Sequence, residues 1–310
     1  MKLLFDDDLV EAVVFLCATG RRPGVPPLQV RRFHAERERC YATTDPDERA
    51  AVFARVNLGW FSEWGLEKLL GFTAARFSVL GDALAALAFR KGRSKADEGA
   101  ELYADPEGRR RGIMALLPER FREDATLIRL LHHELAHLAD MVDPAFGYSP
   151  DLARTGQTAS QQRLVRERYR LLWDVSLDGR LTARGLETIA DEAQRRREFE
   201  RGFAFLVGQR RAELFTTLWT GRLARHDALL EIAADPRGLR ERHAPVPGAP
   251  CPLCGFAAFQ WTDARTLRPA ARDRIHTDFP GWHESEAVCA RCAEMYDSIA
   301  GLEYPATVCL

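Results

Sequence analysis

Four cysteines near the C-terminus restrict the folding of this chain more than any other feature. Cys251 and Cys254 form one C-x-x-C pair, Cys289 and Cys292 form a second, and 34 residues separate the two. Each pair can make a knuckle that presents two thiolates, and four thiolates close a tetrahedron with no open position. A segment this short gains much of its folding free energy from the metal itself. The spacing therefore predicts a structural zinc ribbon over 243–310. The stretch His243–Pro250, with three prolines and a glycine, reads as the linker leading into it. A short helix is expected around Pro269–His276, with the proline in its first turn. His276 and His283, between the pairs, read as surface histidines.

The chain has seven cysteines, and the remaining three, Cys17, Cys40 and Cys309, are scattered. An odd count with paired C-x-x-C spacing fits metal binding in a reducing compartment better than a disulfide framework. Lys and Arg number 44 against 45 Asp and Glu, so no overall field favours nucleic acid or an anionic membrane. The runs Arg109–Arg111 and Arg195–Arg197 read as solvated surface. Asp6, Asp7, Asp8 and Glu11 break the N-terminal apolar stretch. Leu9, Val13 and Leu16 then fit an amphipathic helix rather than a secretory signal. No stretch approaches the roughly 20 apolar residues that span a bilayer. A cytoplasmic protein is expected.

Residues 1–90 read as a helical N-terminal region, including one helical stretch over Val52–Leu70. Arg90–Gly99 reads as a loop. Glu101–Ala104 and Ile113–Leu117 read as the two strands of a hairpin around the turn residues Asp105–Gly108. Residues 124–142 read as a helix, with Asp124 as its cap and Pro144 beyond its end. A second long helix starts near Ser160, with Val165, Tyr169 and Leu172 on its apolar stripe and Gly179 as a candidate end. Further helices are expected over 184–220 and 224–234.

The helix over 124–142 carries His133-Glu134-Leu135-Ala136-His137. Residues four apart share a helix face one turn apart, so both imidazoles can reach one Zn²⁺. Glu134 stands where a carboxylate can take a proton from water and pass it to a leaving group. His132 points off that face and has no role in this reading.

With its hairpin and following helix, this motif resembles the zincin metallopeptidases over roughly residues 100–180. The resemblance implies an α+β fold: a mostly helical zincin-like core over 91–242, with a small sheet beside the active-site helix. It also implies an edge strand, Glu101–Ala104 or Ile113–Leu117, that pairs with extended peptide substrate. The third ligand is left open by the residues. The metzincin pattern places it at Asp143, but Asp140 stands at that pattern's glycine and Met295 is the sole methionine after Met141. The gluzincin pattern E-x-x-x-D resembles Asp174-Val175-Ser176-Leu177-Asp178, with Asp in place of the ligating Glu. By that resemblance Asp174 ligates and Asp178 holds a ligating histidine, or Asp178 is itself the ligand. Glu213 is a remoter candidate. Asp140 could support His137, and Tyr148 could donate to an oxyanion.

The expectation is a zinc metallopeptidase with two zinc sites, acting on a peptide or protein. The alternative is a non-catalytic zinc-binding scaffold whose ribbon recruits a protein or nucleic acid. SprT-like proteases also join H-E-x-x-H to a zinc ribbon, but their third histidine has no counterpart here.

Overall fold

Lys2–Phe5, a short apolar run with a charged start, is a strand (β1), and Asp6 turns the chain into helix α1 (Asp7–Ala18). In the computed structural model, residues 1–150, 152, 159–206, 208–236, 248–284 and 286–301 are described. The chain is α+β and divides into two units, Met1–Ala233 and Ala234–Leu310. Residues 243–247 of the expected linker, and Cys309, lie outside the described residues.

In the first unit α1 is followed by α2 (Pro27–Arg39), α3 (Pro46–Glu63), α4 (Leu66–Ala75) and α5 (Ser78–Ala83). The stretch Val52–Leu70, helical as expected, is shared between α3 and α4. Gly65 adopts φ 75°, a left-handed conformation that interrupts the helical ladder. Asp45 caps α3, its carboxylate accepting from the Glu48 N–H at 2.8 Å.

β2 (Ala86–Lys91), β3 (Gly99–Ala104) and β4 (Arg110–Leu116) complete a mixed sheet in the order β1-β2-β4-β3. β1, β2 and β4 run parallel, and β3 pairs antiparallel with β4. Residues 1–90 are therefore not a separate helical region. They supply β1 and most of β2, and Leu87 and Phe89 are fully buried beneath the helices. The hairpin forms as expected, and β3, not β4, is the sheet edge.

Next come α6 (Asp124–Val142), α7 (Ala159–Ala183), α8 (Glu192–Gly202), α9 (Gly208–Trp219) and α10 (His226–Ala234). α6 has the predicted bounds, and Leu127, Leu131, Leu135 and Leu138 are fully buried along it. Its N-cap is Glu123, however, and Asp124 pairs with Arg22 instead of capping. α7 does not end at Gly179 but continues one turn further. A Cβ at Gly179 would overlap the Trp219 carbonyl, so the glycine is there to admit the end of α9.

The second unit holds β5 (Ala249–Pro250), β6 (Ala257–Ala258), β7 (Trp261–Thr262), α11 (Pro269–Asp278), β8 (Val288–Cys289) and α12 (Ala290–Gly301). β5 pairs with β6 and β7 with β8, both antiparallel. Leu267, Ile275, Trp282, Val288 and Tyr296 form its small core. Among the described residues no helix is long and apolar enough to cross a membrane.

Candidate metal centres

α6 and α7 lie side by side and bring three side chains from the sequence reading to one point. His137 Nε2 is 3.2 Å from His133 Nε2 and 3.1 Å from Asp174 Oδ1, and His133 Nε2 is 3.6 Å from the same oxygen. Ligands 2.0–2.1 Å from a tetrahedral zinc stand about 3.3 Å apart. The three edges bracket that value, and two imidazoles with one carboxylate are a donor set zinc accepts. The spacing of the three donor atoms therefore suits a cation.

Asp178 is not the third ligand. Its Oδ1 lies 2.9 Å from His133 Nδ1, the ring nitrogen facing away from the triangle. The carboxylate thus fixes the tautomer that leaves Nε2 free, a common arrangement behind metal-binding histidines. Nor is Asp143 a ligand: it follows the end of α6, where its carboxylate accepts from the Ala145 N–H at 2.8 Å. Glu213 is exposed on α9 and bonded to Gln209.

The electrostatics follow from this packing. Burial pulls His133 toward its neutral form, but Asp174 and Asp178 outweigh it and hold the metal-free imidazole up at about 9. Burial likewise disfavours the Asp174 charge, and the two imidazoles more than reverse this, keeping its carboxyl well below the usual carboxylate range. The metal-free cluster is thus bound together by a proton that a cation would displace.

Arg195 corrects the reading of its run as solvated surface. Its side chain is 8% exposed, and its Nε donates to Asp178 Oδ2 at 2.6 Å. Its Nη1 is 3.7 Å from Asp174 Oδ2 and donates to Glu198 at 2.8 Å. The guanidinium therefore backs both acids of α7. The available signal was periodic: Arg195 shares a helix face with the buried Phe199, four residues on.

Glu134 leaves the cation cluster and turns to the sheet. Its Oε2 accepts from the Ala100 N–H of β3 at 3.0 Å. A cleft of about 390 Å³ runs between β3 and α7, with Glu134, His137, Tyr148, Tyr169 and Trp173 in its walls. Asp140 does not support His137 directly. It accepts from Trp173 Nε1 at 2.7 Å and from Arg180 at 2.9 Å, and the Trp173 ring packs edge-on against His137, centroids 4.4 Å apart. Tyr148 lies against Trp173 and His226. Sequence reasoning missed His226, whose Nδ1 is 2.8 Å from the Tyr169 hydroxyl. His132 faces away, its Nδ1 2.9 Å from the Glu187 carbonyl.

In the second unit Cys251, Cys254, Cys289 and Cys292 converge, with all four sulfurs within 4.8 Å of one another. Cys254 and Cys289 Sγ are 3.9 Å apart, close to the roughly 3.8 Å expected for thiolates 2.3 Å from a tetrahedral zinc. Burial raises the Cys251 thiol, but backbone N–H groups of the knuckles outweigh it and bring it down to about 7. Cys289 and Cys292 are pushed up by burial and by neighbouring sulfur. His276 and His283 are not in the cluster: His276 packs on Trp282, 5.0 Å between centroids.

Comparison with protein-family models, curated proteins and solved structures finds no match for the chain.

Proposed function

We propose that the first unit is a zinc-dependent metallopeptidase of the gluzincin type. The observation that carries this reading is the His133–His137–Asp174 triangle, with Glu134 in the wall of the same cleft. Three protein donors leave a fourth position open, the pattern of a catalytic rather than a structural site. Zinc held there would acidify water and polarise a carbonyl.

The chain's own residues supply the rest. β3 is an edge strand, and the Ala100 N–H points to its free side, where it meets Glu134. By the two-residue alternation of a strand, the Leu102 N–H and C=O face the same side. An extended peptide can pair there and be drawn across the cleft. Glu134, held at the rim by Ala100, takes a proton from the attacking water and delivers it to the leaving amine. Asp178 and Arg195 keep His133 in its tautomer, and Asp140 fixes the Trp173 ring against His137.

Glu134→Gln should lower kcat about 10²- to 10⁴-fold with zinc content unchanged. Undiminished turnover would remove Glu134 from the reaction, and no turnover in the zinc-loaded wild type would leave a scaffold. The scaffold reading has one observation of its own. Phe256 and Phe259 on the ribbon are 75% and 74% exposed. Acidic residues outnumber basic ones across 248–301, which favours a protein over a nucleic acid there.

A further inference from the structure

The metal triangle occupies one end of a longer stripe on α7. Arg166, Arg170 and Asp174 are spaced four apart and so lie on one helix face. Arg166 and Arg170 line the same cleft as Glu134 and His137. Both are exposed. Arg170 has no hydrogen-bonding or ionic partner among the described residues. Arg166 uses only its Nε, which donates to the Gln162 carbonyl at 3.3 Å.

Two of the acids on the opposite wall, Asp97 and Glu98, already pair with arginines of their own, while Glu101 and Glu134 keep their charge and bond only to neutral groups. Asp97 is bonded to Arg90 at 2.8 Å and to the Arg93 N–H at 2.9 Å. Glu98 is bonded to Arg120 at 2.7 Å, and Glu101 to the Tyr103 hydroxyl at 2.7 Å. Among the described residues, Arg170 therefore offers its whole guanidinium fork to the cleft and Arg166 offers its two Nη groups. Such a fork binds a carboxylate through paired, charge-assisted hydrogen bonds.

We infer that the cleft selects substrates bearing a carboxylate two to three residues from the bond cleaved, held by Arg170 with Arg166 beside it. This rests on the peptidase reading. The spacing comes from the helix: four residues rise about 6 Å, so Arg170 is about 6 Å from Asp174 along the axis and Arg166 about 12 Å. An extended peptide advances about 3.3–3.6 Å per residue. Two sources can supply the carboxylate: an acidic side chain within the peptide, or the peptide's own C-terminus.

The test uses the zinc-loaded full chain and one peptide series. Glu or Gln is walked along the sequence, with the C-terminus free or amidated, and products are mapped by mass. A Glu two to three residues from the cleaved bond should raise kcat/KM about 10- to 100-fold over Gln, the usual yield of a charge-assisted hydrogen bond. If the C-terminus is the source, amidation causes the loss instead and Glu placement matters little. Arg170→Gln should bring the acidic peptide down to the neutral one, and Arg170→Lys should keep part of the preference. Binding of the same peptides to Glu134→Gln protein, read by fluorescence anisotropy, separates this inference from the peptidase reading. An Arg170-dependent preference in binding, with no peptide cleaved by wild type, upholds the carboxylate site and sinks the peptidase. Cleavage without regard to either carboxylate, or a preference that survives Arg170→Gln, overturns the inference and leaves the peptidase standing. Neither binding nor cleavage overturns both.

Discussion

Replacing Arg195 by Met tests whether the site is held from behind. Asp178 is fully buried, and its two oxygens face His133 and Arg195. Arg195→Met keeps most of the side-chain volume and strands one oxygen of a buried carboxylate. Breaking a buried pair in this one-sided way costs about 3–5 kcal/mol. In a unit the size of Met1–Ala233, each kcal/mol lowers Tm by about 2–4 °C, so the loss should be about 6–20 °C. The assay is thermal unfolding of the metal-free protein by calorimetry, where the ribbon lacks the zinc that supplies its folding free energy and the cooperative transition belongs to the first unit. The control is Arg163→Met, which breaks the exposed Arg163–Glu167 pair and should leave the melting temperature nearly unchanged. The double variant Arg195→Met, Asp178→Asn should recover part of the loss, because no unpaired charge remains. If Arg195→Met melts no lower than Arg163→Met, the guanidinium is not holding Asp178 and the account of the support behind His133 is wrong.

Three further outcomes are expected. Zinc analysis of the purified chain should give about two metals per molecule, with Asp174→Ala and Cys254→Ala each losing one of them; a single metal in wild type would contradict one of the two centres. The metal-free first unit should depend on pH through its coupled cluster. His133 is raised from 6.5 to about 9, so its contribution is fully present below pH 6.5 and is lost as pH climbs toward 9. The depressed Asp174 carboxyl contributes above its unfolded value of 3.8 and loses that contribution as pH falls. Melting temperature should therefore be highest between these limits, and saturating zinc should abolish the alkaline decline because it binds the neutral imidazole. Gly179→Ala should destabilise by about 1–3 kcal/mol, the usual cost of overpacking, because α9 must back away from α7; denaturant unfolding with no change in midpoint would show that the close approach is not needed.

What could be read from the sequence was local. α6 emerges at its full length because its apolar period, its prolines and its motif agree over 19 residues. Asp174 and Asp178 could be placed on one face by spacing alone, yet their division of labour could not. Which acid reaches the metal depends on how far α7 stands from α6, and that distance is set by packing. β1 escaped notice because Lys2–Phe5 is only four residues long, too short for an alternation to show before the aspartates that open α1. β2 opens with an apolar run of only four residues, Ala86–Phe89, which periodicity cannot tell from buried helix. Gly179 pointed to a helix end because glycine usually does so, whereas here a neighbouring backbone demanded it. Arg195 looked like one of three equivalent cations until α8 turned it inward.

The open side of β3 carries a liability along with its use. Unpaired backbone groups on an outermost strand will bond to any extended chain that reaches them, including another copy of the same molecule. Six residues offer little length for such ladder growth, and Glu101 sets a charge in the middle of the run. Changing Glu101 to an uncharged β-branched residue would therefore trade colloidal solubility for a stickier rim, and light scattering on concentrated protein would register the exchange before any loss of fold.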